Sequence, residues 1–397
     1  MKSIDQVALA GKKVLVRVDY NVPQNEQLQV TSTTRIKRTV ETVNKITNDG
    51  GIAILMSHLG RPKGEVNDTF SLKHILNAVS ETLGKPVIFL GDVLDAEIEE
   101  KVNQLNPGDV ALLENLRFHK EEEKGNVEFA KAIAKLGDIY VNDAFGTAHR
   151  EHASTATIAR FFPGNAYAGY LLYSEVQSLK KVLEEKKSPF TAIIGGAKVS
   201  TKINILKNLM EKVDNLIVGG GMSYTFAAVL GYTHGDSLFE EEMMPVAKEI
   251  MEQAKIKGIN LYLPIDRICA DKFAEDANVL FTEDQSVPDG WMGMDAGEKT
   301  RELFKKIISD SKTILWNGPV GVFEMDKFAG GTKAVADAIV ESTKNGAYSL
   351  IGGGDSIAAL GKFGLSKEVS YISTGGGAML EYLEGIALPG IKALEEN

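Results

Sequence analysis

Short runs of β-branched and other apolar residues alternate along the chain with longer stretches in which apolar residues recur at helical spacing. In the first half, the strand-like runs KVLVRVD, GIAILMSH and VIFLG alternate with TTRIKRTVETVNKIT and SLKHILNAVSETLG. The second half continues the alternation with FTAIIGG, TKINILKNLMEKV, NLIVGGG, SYTFAAVLG, NLYLPID, TILWNGP and YSLIGGG. This pattern is typical of parallel α/β sheets whose strands are covered on both faces.

The chain is long enough for more than one domain of this kind, since its 397 residues correspond to about two or three domains. Between the halves, SEVQSLKKVLEEKKSP begins with a capping-box pattern from Ser174 to Gln177 and ends before Pro189. That pattern predicts a connecting helix over residues 174–187. We therefore predict an α/β fold with two Rossmann-like, three-layer α/β/α domains that have parallel sheets and are joined by a helix and a hinge.

Composition and charge exclude several classes of protein. Apolar residues make up 44% and charged residues 25%, which is average for a soluble globular chain. The net charge of −10 argues against nucleic acid and against a membrane surface as partners. A single cysteine, Cys269, and an N-terminus without a signal-peptide pattern predict a cytoplasmic location.

The uncharged stretch from Asn215 to Gly235 predicts a buried strand and a packed helix.

The arginines are unevenly distributed along the chain. Seven of the nine lie in the first 160 residues: Arg17, Arg35, Arg38, Arg61, Arg117, Arg150 and Arg160. The guanidinium group suits phosphate and carboxylate, so one interpretation is that the first domain binds a small, highly charged anion. Chance drift between lysine and arginine explains the imbalance equally well at this stage.

Polar and cationic side chains follow the predicted strands of the first half. The residues at or just beyond these strand ends, together with one arginine that opens the first helix, are Asp19, Asn21, Arg35, Ser57, His58, Arg61, Arg117, His149, Arg150 and His152. A lone arginine at a strand end is more often part of a surface ion pair. Because the carboxyl ends of parallel strands share one edge of a sheet, at least four of these arginines can converge on one face.

Glycine-rich loops follow the predicted strands of the second half. They are GGAKVSTK, VGGG, NGPVGVFE, GGGDS and STGGGA. Glycine lets backbone N–H groups approach phosphates, although a tight strand-to-helix turn explains any single loop as well. No P-loop, protein-kinase motif set or GxGxxG fingerprint is present. Asp355 in GGGDS either forms a turn or holds Mg²⁺ on bound phosphates.

These motifs together make the chain resemble the phosphoglycerate kinase family over essentially its whole length. The motifs that occur in the family's order and spacing are RVDYNVP, SHLGRP, LLENLRFHKEEEKGN, NDAFGTAHR, GGAKVSTK, GGGMSYTF, PDGWMGMDAG, WNGPVGVFE, GGGDS and STGGGA. The resemblance implies an N-terminal 3-phosphoglycerate-binding domain over residues 1–172, rejoined by the tail at about 378–397. It implies a C-terminal nucleotide-binding domain over residues 173–377.

The resemblance also implies the reaction and its site residues. The reaction is reversible, Mg²⁺-dependent phosphoryl transfer between 1,3-bisphosphoglycerate and ADP, which gives 3-phosphoglycerate and ATP in glycolysis and gluconeogenesis. The substrate-binding positions are Asp19, Tyr20, Asn21, Arg35, His58, Leu59, Gly60, Arg61, Arg117 and Arg150. The nucleotide-binding positions are Lys198, Lys202, Gly220, Gly293, Glu324, Gly353, Gly354, Asp355 and Ser356, with Asp355 as the metal ligand. The protein is expected to be a monomer.

A carboxylate is the nucleophile in the reverse direction, so the reaction needs no general base. It needs charge stabilisation and in-line positioning instead. We expect Arg35 and Lys198 to contact the transferring phosphoryl group, with the amides of Gly375 and Gly376 as further donors. Water must be excluded from the reacting groups, which predicts hinge closure between the domains.

Two alternatives from other classes share some of these features. A two-domain NAD-dependent dehydrogenase would share the glycine loops, but it should carry the missing GxGxxG fingerprint. A non-enzymatic anion-binding protein would share the hinge and the arginines. It would usually carry an export signal, and it would not need Lys198, Glu324 and Asp355 beside glycine loops.

Overall fold

The chain, seen in a computed structural model that describes residues 1–397, divides into two units. Unit 1 comprises Met1–Val176 and Ile386–Asn397, and unit 2 comprises Gln177–Gly385. The predicted domains divided the chain at residue 172 and returned it to the first domain at about residue 378. Residues 378–385 instead group with unit 2, where the Asn208 side-chain amide donates to the carbonyl of Leu383.

Unit 1 contains one six-stranded sheet in which all neighbouring strands are parallel. Its strands are β1 (Lys13–Val18), β2 (Ile52–Met56), β3 (Val87–Gly91), β4 (Val110–Leu113), β5 (Ile139–Asp143) and β6 (Ala166–Ala168). They lie in the order β3-β4-β2-β1-β5-β6, so β1 is paired on both sides. The carboxyl ends of β1, β2 and β5 therefore lie side by side, which places the loops that follow them at one edge.

Helices flank this sheet. They are α1 (Thr34–Lys37), α2 (Val40–Asn48), α3 (Leu76–Leu83), α4 (Ile98–Asn103), α5 (Lys120–Glu123), α6 (Val127–Ala134), the first part of α7 (Tyr170–Leu183), and α15 (Pro389–Glu395) in the returning tail. The stretch TTRIKRTVETVNKIT was predicted as one helix but forms two. Thr39, between α1 and α2, donates through its hydroxyl to the carbonyl of Ile36 and lies 2.8 Å from the Tyr20 hydroxyl. This tertiary contact is invisible in the local pattern.

The connecting helix α7 begins earlier than its capping-box pattern predicted. Its first amide, at Tyr170, donates to the hydroxyl of Thr42 at 2.9 Å. The amide of Leu172 donates to a carboxylate oxygen of Asp143 at 3.2 Å. Ser174 lies inside the helix, and its hydroxyl donates back to a carbonyl in the same turn. The predicted start was wrong because the groups that satisfy the first turn come from α2 and β5 rather than from the adjacent chain.

Unit 2 contains a second six-stranded parallel sheet and a smaller antiparallel one. The strands of this unit are β7 (Phe190–Ile194), β8 (Asn215–Val218), β9 (Asn260–Tyr262), β10 (Arg267–Ala270), β11 (Val279–Thr282), β12 (Met292–Ala296), β13 (Thr313–Asn317), β14 (Tyr348–Gly352) and β15 (Tyr371–Ile372). The parallel sheet has the order β15-β14-β13-β7-β8-β9. The antiparallel sheet, β11-β10-β12, was not predicted from the sequence.

The helices of unit 2 flank the parallel sheet. They are α8 (Ile203–Leu209), α9 (Met222–Val229), α10 (Met244–Ile256), α11 (Glu298–Ser309), α12 (Gly330–Lys344), α13 (Gly354–Lys362) and α14 (Gly377–Leu383). The uncharged stretch from Asn215 to Gly235 holds strand β8 and helix α9, as predicted. None of the helices combines the length and the apolar character that crossing a bilayer requires. The predicted α/β class with two parallel sheets is confirmed.

Candidate functional site

The loops that follow β1 and β2 are tied together at the carboxyl edge of the unit 1 sheet. Asn21 accepts a hydrogen bond through its side-chain oxygen from the amide of Gly60 at 2.9 Å. Asp19 accepts from the guanidinium of Arg35, which lies in α1. The Arg35 side chain remains 48% exposed, whereas that of Asp19 is 14% exposed. The structure thus brings Asp19, Asn21, Arg35 and Gly60 to one edge.

His58, which follows β2, lies against a buried arginine from β1. Nη2 of Arg17 is 3.2 Å from Nδ1 of His58, and both side chains are buried. Arginine can only donate, so Nδ1 of His58 accepts and the ring is neutral. Burial, followed by the charges of Arg17, Arg117, Arg150 and Arg35, holds the pKa of His58 well below its usual value. Three of these four arginines were predicted to bind substrate, and the positive charges of all three lower the pKa of the same histidine. We call Arg35, Arg117 and Arg150, whose charges act on the neutral His58, the cationic face.

Arg117 is the most buried arginine of the cationic face, with 4% of its side chain exposed. Its Nη1 donates to the carbonyl of Gly60 at 3.1 Å, and its Nε lies 3.3 Å from a carboxylate oxygen of Glu123. Its Nη2 is buried without a hydrogen-bond acceptor. Burial, aided by the charges of Arg150 and Arg17, lowers the pKa of Arg117 to about 10. A buried donor that lacks an acceptor, among other cations, favours an anionic ligand.

Three other predicted substrate residues are placed differently. Arg61 is exposed and makes no hydrogen bond or ion pair within residues 1–397. Tyr20 is fully buried in the core of unit 1, and its amide donates to the hydroxyl of Ser57 at 2.8 Å. Leu59 is buried as well, and its carbonyl accepts from the side chain of Asn115 at 2.7 Å. The side chains of Tyr20 and Leu59 therefore do not reach the surface, because both serve the core.

A buried network of hydrogen-bonded polar side chains lies next to the cationic face and was not predicted from the sequence. Nε of Arg17 donates to the hydroxyl of Ser154 at 2.9 Å, and this hydroxyl donates to Glu122 at 2.6 Å. A second oxygen of Glu122 accepts the amide of Ser154 at 3.0 Å. Burial raises the pKa of Glu122, although Arg17 and the Ser154 contacts oppose the rise. The available signal was an arginine inside KVLVRV, since a charged residue in a buried strand needs partners.

Unit 2 holds a cavity of about 720 Å³ at the loops that follow its strands. Four of the predicted nucleotide-binding residues line it: Gly220, Gly293, Glu324 and Asp355. Many of the other lining groups are apolar, among them Tyr224, Leu238, Phe273, Met292, Val320 and Val322. The volume lies within the range of about 300–1,000 Å³ that is usual for small-molecule sites. We call this space the glycine-lined cavity.

Two of its glycines are required by their surroundings. Gly220 has φ +67°, and a Cβ there would lie 2.8 Å from backbone atoms of Gly196 and Pro319. A Cβ on Gly293 would collide with the hydroxyl of Tyr224. A larger residue at either position would displace the cavity wall, so both glycines have a structural reason in addition to their predicted contact with a nucleotide.

The two predicted lysines lie in the GGAKVSTK loop and differ in environment. Nζ of Lys202 donates to the side-chain oxygen of Asn317 at 2.5 Å, and burial lowers the pKa of Lys202, while Asp355 and Glu384 oppose this. Lys198 is exposed and does not line the cavity. Asn317 was not assigned from the sequence, although it opens NGPVGVFE. Its side-chain nitrogen is buried without an acceptor, which adds a free donor beside Lys202.

The remaining predicted residues open helices α13 and α14. Gly353, with φ +86°, precedes α13, which begins at Gly354, and neither glycine lines the cavity. The buried hydroxyl of Ser356 accepts from the amide of Gly318 at 2.7 Å, so it holds a loop in place. The amide of Gly375 donates to the hydroxyl of Ser373 at 3.2 Å, whereas Gly376, with φ +54°, immediately precedes α14.

The acidic groups of the cavity are few. No group of three or more His, Cys, Asp or Glu side chains converges to hold a metal ion by itself. Asp355 lines the cavity as an exposed carboxylate. A single carboxylate fits an ion such as Mg²⁺, which usually takes one or two carboxylates and completes its shell with phosphate oxygens and water.

Comparisons with known proteins agree with one another. The family model described as phosphoglycerate kinase matches residues 4–386. A phosphoglycerate kinase of Porphyromonas gingivalis is 50% identical over 99% of this chain and 100% of its own length, and a cytosolic one of Nicotiana tabacum is 49% identical over 99% and 98%. The solved structure of phosphoglycerate kinase from Coxiella burnetii superposes with a TM-score of 0.93 at 42% identity, covering 99% of this chain and 98% of that chain. The one from Pyrococcus horikoshii superposes with a TM-score of 0.82 at 30% identity, covering 100% and 98%.

Proposed function

The chain belongs to the phosphoglycerate kinase family, and we propose that its two units divide the work of that enzyme between the cationic face and the glycine-lined cavity. The enzyme is a kinase of glycolysis that transfers a phosphoryl group between 1,3-bisphosphoglycerate and ADP, giving 3-phosphoglycerate and ATP. The observation that carries the division is the placement of the charges. The cations converge in unit 1, whereas the glycines surround a cavity in unit 2.

The cationic face binds the phosphoglycerate. Arg35, Arg117 and Arg150 supply positive charge that the protein itself balances only in part. A phosphate or carboxylate relieves the repulsion among them and provides an acceptor for Nη2 of Arg117. Neutral His58 and the polar groups of Asp19 and Asn21 suit the hydroxyl and carboxylate groups of a small triose. Arg61, an exposed arginine of the loop that contains His58, contacts the anion when it is bound.

The glycine-lined cavity binds ADP or ATP. The apolar side chains of its wall accommodate the base, while backbone groups at Gly220 and Gly293 allow close approach. Lys202 and the loop from Gly353 to Ser356 bind the phosphates, with the start of α13 contributing its dipole. Glu324, an exposed acceptor on the cavity wall, binds the ribose hydroxyls.

Asp355 is the residue that would hold Mg²⁺ beside the bound nucleotide. When bound, the ion neutralises charge on the nucleotide phosphates. Lys202 lies near Asp355, whose negative charge partly opposes the lowering of the Lys202 pKa by burial. The lysine is thus placed to bind phosphate beside the carboxylate.

The transfer itself relies on donors rather than on a base, because the attacking carboxylate of 3-phosphoglycerate carries no proton. Arg35 and Lys198 contact the transferring group from unit 1 and unit 2, and both side chains are exposed. The amides of Gly375 and Gly376 add donors at the start of α14. Gly375 must exchange its bond to Ser373 for a phosphoryl oxygen.

Because the two substrates bind to different units, closure of the units must bring them together and exclude water. Helix α7 contains the division between the units, and the segment from Ser373 to Gly377 precedes the chain's return to unit 1. We place the hinges at these two positions. The protein acts as a monomer. Its proposed location is the cytoplasm, in keeping with the cytosolic relative from tobacco.

A coupled assay tests the proposed activity of the whole protein. The protein is incubated with Mg-ATP and 3-phosphoglycerate, and the release of ADP is recorded. We expect release that requires 3-phosphoglycerate and is abolished by EDTA. ADP release that continues without 3-phosphoglycerate, or in the presence of EDTA, would contradict the assignment.

A further inference from the structure

Unit 2 contains only two of the nine arginines, and one of them is fully buried with no predicted role. Arg267 opens β10 of the antiparallel sheet, and no carboxylate lies within 4 Å of its guanidinium. Burying a cation without a direct ion pair is strongly unfavourable. Burial lowers the pKa of Arg267, although Tyr224, Cys269 and the more distant carboxylate of Asp266 oppose this. An arginine in such a position needs a compensating contact that a neutral residue would not make.

The first contact of Arg267 leads to a backbone group of the glycine-lined cavity. Its Nη1 donates to the hydroxyl of Ser223 at 2.8 Å. The same hydroxyl donates to the carbonyl of Gly220 at 2.6 Å. Gly220 lines the cavity and sits in a left-handed conformation. Two hydrogen bonds in series therefore join the buried cation to the glycine turn.

The second contact leads to another part of the same wall. The guanidinium carbon of Arg267 lies 4.5 Å from the centre of the Tyr224 ring, which is within the range of a cation–π interaction. Tyr224 lines the cavity, and its hydroxyl fills the space that a side chain on residue 293 would need. Tyr224 therefore lies next to both Arg267 and Gly293. Both glycines of the wall that were predicted to contact the nucleotide lie one side chain away from the same arginine.

We propose that Arg267 is a positioning residue for the nucleotide. It holds Gly220 through Ser223 and holds Gly293 through Tyr224, so that the wall of the cavity is already in place when ADP or ATP arrives. Two of its nitrogens, Nε and Nη2, have no hydrogen-bond acceptor, so the contacts with Ser223 and Tyr224 are the ones that compensate the burial of the cation. The inference rests on the proposed assignment of the cavity to the nucleotide.

The test is a set of full-length variants studied by steady-state kinetics and by calorimetric titration with Mg-ADP. Arg267→Met removes the cation and its donors at similar volume, whereas Arg267→Lys keeps a cation that can still donate. Ser223→Ala removes only the hydroxyl link. Ile308→Ala is the matched control, since Ile308 is fully buried but belongs to a different hydrophobic cluster from Tyr224. All measurements are made well below the Tm of the least stable variant.

Arg267→Met is expected to raise the Mg-ATP KM and the Mg-ADP Kd about 3- to 10-fold, while kcat and the 3-phosphoglycerate KM change less than about twofold. Arg267→Lys should recover most of the affinity. Ile308→Ala should lower Tm and leave the nucleotide constants unchanged. A folded Arg267→Met protein with wild-type nucleotide affinity would overturn the proposal, as would an equal loss in Ile308→Ala.

Two further outcomes complete the design. If Arg267→Met does not fold, Ser223→Ala decides the matter: weaker Mg-ADP binding supports the link, and unchanged binding overturns it. Wild-type protein that does not bind Mg-ADP at all overturns the assignment of the cavity itself. That result is distinguishable from failure of the inference about Arg267, in which the wild type binds and the variants bind equally well.

Discussion

Arg35 and Asp19 form an ion pair at the carboxyl end of β1, with the guanidinium 48% exposed and the carboxylate 14% exposed. A half-exposed pair of this kind contributes about 0–1 kcal/mol to stability, so its value lies in orientation. Only one nitrogen of Arg35 is engaged by Asp19. The remaining nitrogens are free to meet a phosphoryl group that arrives from solvent.

The first prediction concerns the two cations assigned to the transferring group. Arg35→Ala and Lys198→Ala should each lower kcat by about 100-fold or more, the usual scale for losing one donor to a developing charge. Both side chains are exposed, so the variants should fold normally. Steady-state ADP release measures the effect. Lys37→Ala, an exposed cation in the same helix as Arg35, is the control and should keep wild-type turnover. Unchanged kcat in either test variant would remove that residue from the proposed role.

The second prediction separates crowding from backbone strain at a glycine. Gly220 and Gly231 both have positive φ, but a Cβ on Gly220 would meet the backbone at 2.8 Å, whereas a Cβ on Gly231 would meet nothing within 4 Å. Gly231→Ala should therefore cost only the left-handed conformation, about 1–2 kcal/mol. Gly220→Ala should cost a further ~1–3 kcal/mol of overpacking and should weaken Mg-ADP binding. Urea unfolding and calorimetry measure the two quantities, and equal losses in both variants would contradict the crowded geometry.

The third prediction is a pH dependence carried by Asp143, the carboxylate that accepts the amide of Leu172 at the start of α7. Burial raises the pKa of Asp143 to about 7, well above the value of about 3.9 in an unfolded chain. A raised folded-state pKa means that its contribution to stability is complete below about pH 4 and is lost as the pH rises towards 7.

Asp143→Asn keeps the acceptor oxygen and removes the titration. The free energy of unfolding of the wild type, relative to this variant, should fall between pH 4 and pH 7 by up to about 1.4 kcal/mol per pH unit, and should then level off. Urea unfolding at a series of pH values gives this difference. Two parallel stability curves would show that Asp143 titrates normally.

The fourth prediction concerns closure. Small-angle X-ray scattering should give a smaller radius of gyration when 3-phosphoglycerate and Mg-ADP are both present than when either is present alone. Only the pair of ligands allows the two units to share contacts across the reacting groups. The same radius in all states would rule out closure as the source of water exclusion.

Much of the fold could be predicted because the strands of both sheets are nearly all apolar and are separated by helical stretches. The parallel arrangement then placed the residues that follow β1, β2 and β5 at one edge. What failed were local boundaries decided by distant groups. The break at Thr39 depends on Tyr20, and the start of α7 depends on Thr42 and Asp143. These partners lie far away in the sequence, so the residues adjacent to each boundary do not reveal them.

For the candidate site, the sequence predicted which residues lie there but not how their side chains are oriented. Charged residues at strand ends indicated the cationic face, and glycine loops indicated the cavity, because chemistry that needs cations or close backbone approach leaves that signature. Orientation was not accessible: Tyr20 lies within a matching motif, yet its ring belongs to the core. The supporting residues were missed because their function depends on side chains far along the chain, as with Arg17 and Ser154, or Arg267 and Ser223.

The most direct test of the division between the two units is a pair of calorimetric titrations on two variants, one from each unit. Arg35→Ala should weaken the binding of 3-phosphoglycerate by at least about 10-fold and leave Mg-ADP binding within about twofold of the wild type. Asp355→Ala should weaken Mg-ADP binding by a similar factor and leave 3-phosphoglycerate binding unchanged. If either variant weakened both ligands equally, or the wrong one, the assignment of the cationic face to the triose and of the cavity to the nucleotide would be contradicted.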